Sequence, residues 1–463
     1  MAGTLSRIAI CMTLICGLVA ARSQSAGPAL GTVLDSLRVG QRPSETYALY
    51  LPMRYDPAVP APVVFIFDPA ARGRVAVELF IPASERYGYI LVCSNNTRNG
   101  PYEQNFEFAN RLFTEVFARF QIDPKRVYTA GFSGGSRLAS SIAILTKQIQ
   151  GVVACGAGMA SSPVYFQMSE LEDFSFAGIV GNVDMNYREM VQTRNWLNQL
   201  KVSNELFEYD YGHRWPPPED LLAAFDWLQL EACRKGIVPV DSALVGSVYD
   251  KFAQKARELE ASGEQLRAWD EYDRLLGTFG TYFDLDSIRS RHRSLAASRP
   301  YRKARRAWEA NQAAEDSLVS NYSARMYRDI AAHGPEAMAW WDREIGRLEA
   351  KQQKAGPEGQ RMLQRVLSTI FAMAYSRATD EALTTTVPEK AFCLDLCIRA
   401  QPGAPMAYFV QMEHYLQAGN PDKALDYLEQ LLQTGFDKIE YIEGHKAFEP
   451  LKSLARYKAL MPE

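Results

Sequence analysis

The chain has 463 residues, 47% of them hydrophobic and 23% charged, with a formal net charge of −3. That length is too great for one hydrophobic core and predicts two domains behind a short processed segment. The composition is that of a folded globular protein and excludes a disordered one, and the slightly acidic balance gives no basic footprint for nucleic acid.

In chain order the first feature is Arg7, then the apolar run Ile8 to Ala20, small residues at Val19-Ala20-Ala21, and polar Arg22 to Ser25. The run is short for a membrane span and reads as a secretory signal peptide over residues 1–23, with an uncleaved anchor as the alternative. Leu14-Ile15 puts bulk before Cys16 where a lipoprotein needs a small residue. The expectation is a soluble exported protein, periplasmic or extracellular, with no stable membrane span after processing. Cys11 and Cys16 leave with this segment. Of the seven cysteines that leaves Cys93, Cys155, Cys233, Cys393 and Cys397, an odd number that spells out no disulfide framework or metal site.

Residues 27–235 alternate strand-like and helix-like segments. Tyr47–Leu51, Val63–Phe67, Tyr89–Cys93, Val127–Ala130, Gly151–Cys155, Ala177–Val180 and Leu206–Tyr209 are short apolar runs. Periodic stretches such as Glu107–Phe120, Arg188–Leu200 and Glu219–Lys235 lie among the later ones. The alternation predicts an α/β domain with a mainly parallel sheet, whose ligands gather at the carboxyl ends of the strands.

Within that domain the strand-like Arg126–Ala130 runs into Gly131-Phe132-Ser133-Gly134-Gly135 and then a helical segment, Ser136–Leu145. Strand, sharp turn carrying Ser, helix is the context that gives the G-x-S-x-G pattern mechanical meaning as a nucleophile elbow. A Ser hydroxyl becomes a nucleophile only with a base, and the base needs an orienting carboxylate. His213, the only His before residue 292, follows the last strand, and Asp184 follows the strand Ala177–Val180. Each of the three follows a strand, so all can meet at one rim. Read singly, Ser133 is also a turn former, Asp184 a cap for a helix starting near Asn186, and His213 a packed surface residue.

Tyr50-Leu51-Pro52, the Arg126–Gly135 stretch, the Asp184 loop and Gly212-His213-Arg214-Trp215-Pro216 together resemble the polyhydroxybutyrate depolymerase and feruloyl esterase branch of the α/β-hydrolases. The resemblance covers Leu37 to Lys235. It implies a carboxylic-ester hydrolase acting through Ser133, His213 and Asp184 on a small or polymeric ester, with no cofactor and no metal. One departure stands out. Where the family has His-Gly after the strand Val63–Phe67, this chain reads Asp68-Pro69-Ala70-Ala71-Arg72-Gly73. Pro69 has no N–H, so the oxyanion hole is expected to use Ala70 and Gly134. Asp68 and Arg72 read as a surface salt bridge, with a loop-holding role for Asp68 or an acidic substrate facing Arg72 as the alternatives.

Gly236–Val240 reads as a linker, and residues 241–463 as a helical domain that docks a protein partner or shapes access to the active site. Gly263–Leu276 aligns without gaps on Gly419–Leu432, which resembles a tetratricopeptide helix-turn-helix; a plain helical bundle is the alternative. Two rival functions stay open: a binding protein that keeps the hydrolase fold without its chemistry, and a peptidase on the same scaffold.

Overall fold

The computed structural model describes residues 28–159, 174–380, 383 and 385–461. The expected signal peptide lies outside them. The described residues form two compact units: those up to 182 together with 186–301, and those from 302 on together with the short stretch 183–185.

The first unit is built on an eight-stranded sheet: β1 (Leu34–Val39), β2 (Arg42–Tyr50), β3 (Ala61–Phe67), β4 (Ile90–Ser94), β5 (Ile122–Phe132), β6 (Gly151–Cys155), β7 (Ser175–Gly181) and β8 (Asn204–Tyr209). Their order across the sheet is β1-β2-β4-β3-β5-β6-β7-β8. The pairs β1/β2 and β2/β4 are antiparallel and the remaining pairs parallel. Every residue of β3, β4, β6 and β7 is buried, as strands covered on both faces require.

Alternation along β3 sorts the two faces. Val63, Phe65 and Phe67 join α2 (Tyr102–Arg119) and α3 (Gly134–Thr146) in one core, where the rings of Phe65 and Phe113 stack. Val64 and Ile66 join α1 (Gly73–Tyr87) and α5 (Pro218–Arg234) in the other, around Phe80 and Phe225. Between β7 and β8 the chain forms α4 (Tyr187–Gln199).

Gly236–Val240 does not end this unit, contrary to the domain boundary expected there. Beyond it α6 (Ser242–Ala261), α7 (Gln265–Phe279) and α8 (Asp286–Ala297) put Val248, Phe252, Tyr272, Leu275, Phe279 and Leu295 into the same core as α1 and α5. The physical reason is that α5 and β8 carry more apolar surface than the sheet covers. Phe207 of β8 meets Phe252 of α6, and the Arg274 guanidinium stacks over the Phe207 ring at 4.2 Å while donating to the Leu206 carbonyl.

In the second unit the described residues from 302 on are helical, from the long α9 (Arg299–Ala332) through α10 (Pro335–Lys354), α11 (Pro357–Thr379), α12 (Val387–Ala400), α13 (Pro405–Gln417) and α14 (Pro421–Gln433) to short terminal turns. The core is apolar around the fully buried Trp341, and charged side chains are buried beside it. Arg365 is completely buried and is held by Glu315 and Glu358.

The sequence echo has a local structural counterpart. Gly263 and Gly419 take φ of 83° and 73° at the turns of the hairpins α6–α7 and α13–α14. The aligned pairs Ala268/Ala424, Tyr272/Leu428 and Leu275/Leu431 are all buried. The two hairpins nevertheless belong to different compact units.

Candidate active site

β5 ends at Phe132 and α3 begins at Gly134, so Ser133 alone makes the turn between them. It sits at φ 53° and ψ −120°, a sparsely populated conformation that the surroundings must enforce. The glycines explain how they do. A Cβ on Gly131 would lie 2.2 Å from the Gly135 carbonyl oxygen, the opposite arm of the turn. A Cβ on Gly135 would instead meet the Phe67 carbonyl of the neighbouring β3 at 2.0 Å, so that glycine serves helix-to-strand approach. The Ser133 N–H donates to the Cys155 carbonyl at the end of β6, fixing the turn across the sheet. Ser133 is also the residue before the first turn of α3, where unsatisfied N–H groups and the helix dipole favour negative charge.

His213 lies four residues beyond β8, and its Nε2 is 2.9 Å from Ser133 Oγ. The two residues that the sequence separates by 80 positions are in hydrogen-bond contact. The imidazole packs on the Phe132 ring at 4.6 Å.

The His213 loop is anchored at both ends. On its near side Asp210 accepts from Arg267 of α7 at 2.9 Å on both carboxylate oxygens, and from the Asn182 amide at 2.6 Å. On its far side the Trp215 indole N–H donates to Asp68 at 2.8 Å, and its ring packs against Phe132 and Phe80. Gly181 lets the loop pass, since a Cβ there would lie 1.9 Å from the Tyr211 carbonyl. Arg267, Asp210 and Asn182 carried no signal in the sequence, because their roles exist only once α7 docks on β8. Trp215 was visible in the G-H-x-W-P motif, but not its partner.

Asp184 is buried, three residues past the end of β7 in the stretch 183–185. The N-cap position of α4 falls to Asn186, not to Asp184.

The loop after β3 departs from the surface salt bridge and from the Ala70 donor, and follows the loop-holding alternative for Asp68. Asp68 is not half of a surface salt bridge: its side chain is fully buried while that of Arg72 is half exposed. Its Oδ1 accepts from the N–H groups of Ala70 (2.8 Å) and Arg72 (3.2 Å) and from Arg72 Nε (3.0 Å). Its Oδ2 accepts from Arg72 Nη2 (2.9 Å) and from Trp215. Burial alone would raise the carboxyl pKa, but the donors from Arg72, Trp215 and Ala70 prevail and hold it below the ordinary value. Asp68 therefore clips the β3 loop to the His213 loop. The same geometry removes Ala70 from the expected oxyanion hole, because its N–H already points at Asp68 Oδ1. Gly134 keeps its place at the N-terminus of α3.

Cys93, Cys155, Cys233, Cys393 and Cys397 are all free and buried, and burial pushes each thiol pKa up, away from nucleophilic use. Among the described residues no group of three or more His, Cys, Asp or Glu side chains is placed to hold a metal ion. Among the same residues no helix is long and apolar enough to cross a membrane.

A mixed sheet with an antiparallel edge, and a Ser on the strand-to-helix turn of its central β5, make the first unit α/β-hydrolase-like. The chain matches no protein-family profile, and no curated protein matches it. Among solved structures it is similar to a ferulic acid esterase, at 15% identity and a TM-score of 0.35 over 42% of this chain and 97% of that one. It is also similar to an S-formylglutathione hydrolase from Staphylococcus aureus, at 11% identity and a TM-score of 0.36 over 42% of this chain and 95% of that one. A third similar structure is a ferulic acid esterase from Anaeromyces mucronatus, at 16% identity and a TM-score of 0.36 over 44% and 92% of the two chains.

Proposed function

We propose that the chain is a serine hydrolase that cleaves carboxylic esters through an acyl-enzyme intermediate, with Ser133 as nucleophile, His213 as base and Asp184 as the carboxylate that orients it. The observation that carries this reading is the 2.9 Å contact between His213 Nε2 and Ser133 Oγ on a strained turn. A Ser held in a costly conformation beside an imidazole has little structural justification and a clear chemical one. Asp184 enters on its place in the chain, past the end of β7 as His213 is past the end of β8.

In this mechanism His213 Nε2 takes the Ser133 hydroxyl proton as Oγ bonds to the ester carbonyl carbon, and the carbonyl π pair moves to oxygen. The Gly134 N–H, at the positive end of α3, stabilises the resulting oxyanion. When the pair returns, the alcohol leaves with the proton from His213. Water then repeats the sequence on the acyl-enzyme, releasing the acid and restoring Ser133. The substrate is a small or polymeric ester.

The test is hydrolysis of short p-nitrophenyl esters by the purified protein and by Ser133→Ala, His213→Ala and Asp184→Ala. Loss of turnover in the first two, with unchanged circular dichroism, is the expected result. Turnover that survives in Ser133→Ala would assign the chemistry elsewhere. Matched amide substrates test the second reading, a peptidase, which predicts amide cleavage at comparable kcat/KM.

A further inference from the structure

An oxyanion hole of one donor is incomplete, and the loop that was expected to supply the second has nothing left to give. Pro69 carries no N–H; those of Ala70 and Arg72 go to Asp68 Oδ1, that of Ala71 to the Asp68 carbonyl, and that of Gly73 to Asn95 Oδ1. Ala71 is held at φ 59° and a Cβ on Gly73 would strike Asn95 Oδ1, so this hydrogen-bond pattern is locked into the loop.

Another polar group lies beside Gly134. A Cβ built on Gly134 would lie 1.9 Å from Asn99 Oδ1 and 3.0 Å from Asn99 Cγ. The Asn99 amide is therefore laid directly against the backbone of Gly134. Its own backbone is fixed by an N–H bond of 2.9 Å to the Pro69 carbonyl, and the preceding Arg98 pairs with Ala70 as an antiparallel bridge. Among the described residues the Asn99 side chain has no hydrogen-bond partner. A half-turn about its χ2 exchanges Oδ1 for Nδ2 and turns an N–H toward the same space.

We propose that the Asn99 side-chain amide is the second oxyanion donor, so that Asn99 Nδ2 and the Gly134 N–H together bind the oxygen that becomes negative when Ser133 attacks. The inference rests on the serine-esterase reading and assigns a further catalytic residue to it. As Ser133 Oγ bonds to the carbonyl carbon and its proton passes to His213, the displaced π pair resides on an oxygen held between these two donors. The interaction is made in the transition state and not with the planar ester, so its loss appears in kcat.

The experiment measures kcat and KM for p-nitrophenyl acetate with the full chain, its Ser133→Ala variant as the control, and Asn99→Ala and Asn99→Asp. Asn99 is exposed, so both variants fold and circular dichroism checks that they do. Asp keeps the shape of the side chain but removes the donor. The expected result is a fall in kcat of about 10²–10³-fold in both variants with KM within about twofold of the parent. Unchanged kcat in Asn99→Ala overturns the proposal, as does retained kcat in Asn99→Asp alone, which would make Asn99 a wall beside Gly134. Turnover that does not depend on Ser133 overturns the esterase reading itself and this inference with it.

Discussion

Replacing Asp68 by Asn changes one oxygen for an amide and tests the clip between the β3 loop and the His213 loop. The Asn can keep an acceptor toward Ala70 and Arg72, but it turns an N–H₂ toward the Trp215 indole N–H, so two donors face each other where a bond of 2.8 Å stood. Losing a hydrogen bond to a charged acceptor costs about 1.5–3 kcal/mol. The Arg72 guanidinium is half exposed, so its ion pair adds only ~0–1 kcal/mol. The sum, about 2–4 kcal/mol, corresponds to a fall in Tm of roughly 4–16 °C for a unit of this size. Thermal unfolding by circular dichroism measures it. Trp215→Phe removes the indole N–H but keeps a ring against Phe132 and Phe80. A double-mutant cycle should therefore return a coupling of ~0.5–3 kcal/mol between the two positions. Additive single variants, or an Asp68→Asn protein that melts with the parent, would refute the clip.

The same carboxylate sets a pH dependence. Its pKa is held below the ordinary value in the folded protein, so it contributes stability above the unfolded-state pKa near ~4 and loses it as pH falls through the folded one. The Tm gap between the parent and Asp68→Asn should thus narrow on acidification below about pH 4, and a gap constant with pH would contradict the assignment. Ser133→Gly should remove activity yet raise Tm, because glycine relieves a φ of 53° that costs about 1–3 kcal/mol; a lower Tm would show the turn to be unstrained. Arg365→Ala leaves Glu315 buried without its partner and should cost about 3–5 kcal/mol in unfolding of the second unit, with much of the loss recovered in the Arg365→Met/Glu315→Gln double variant. Equal stability of parent and Arg365→Ala would refute that reading.

What the sequence revealed and what it hid divide along a physical line. Runs buried on both faces, such as Val63–Phe67 and Gly151–Cys155, announce themselves because no polar residue can interrupt them. The Ser133 turn is legible for a similar reason, since its glycines answer steric demands a few residues away. β1 was missed: at the sheet edge, Leu34–Val39 mixes exposed and buried residues without a clean period. α1 was obscured by Pro82 inside it.

Contacts distant in the chain left no comparable trace. Asp68 read as a surface charge because its partner Trp215 lies 147 residues away. The linker at Gly236–Val240 read as a boundary because the apolar faces of α6 and α7 look alike whether they pack on each other or on β8. Ala70 was expected as a donor from its position in the loop, and only the folded turn shows its N–H committed to Asp68.

The central claim is that His213 activates Ser133. Incubation with a fluorophosphonate, followed by intact mass and peptide mapping, tests it without knowledge of the substrate. The account predicts one phosphonyl adduct on Ser133, absent from Ser133→Ala and strongly slowed in His213→Ala. An unlabelled Ser133 in the folded parent protein would contradict it and leave a hydrolase fold used only for binding.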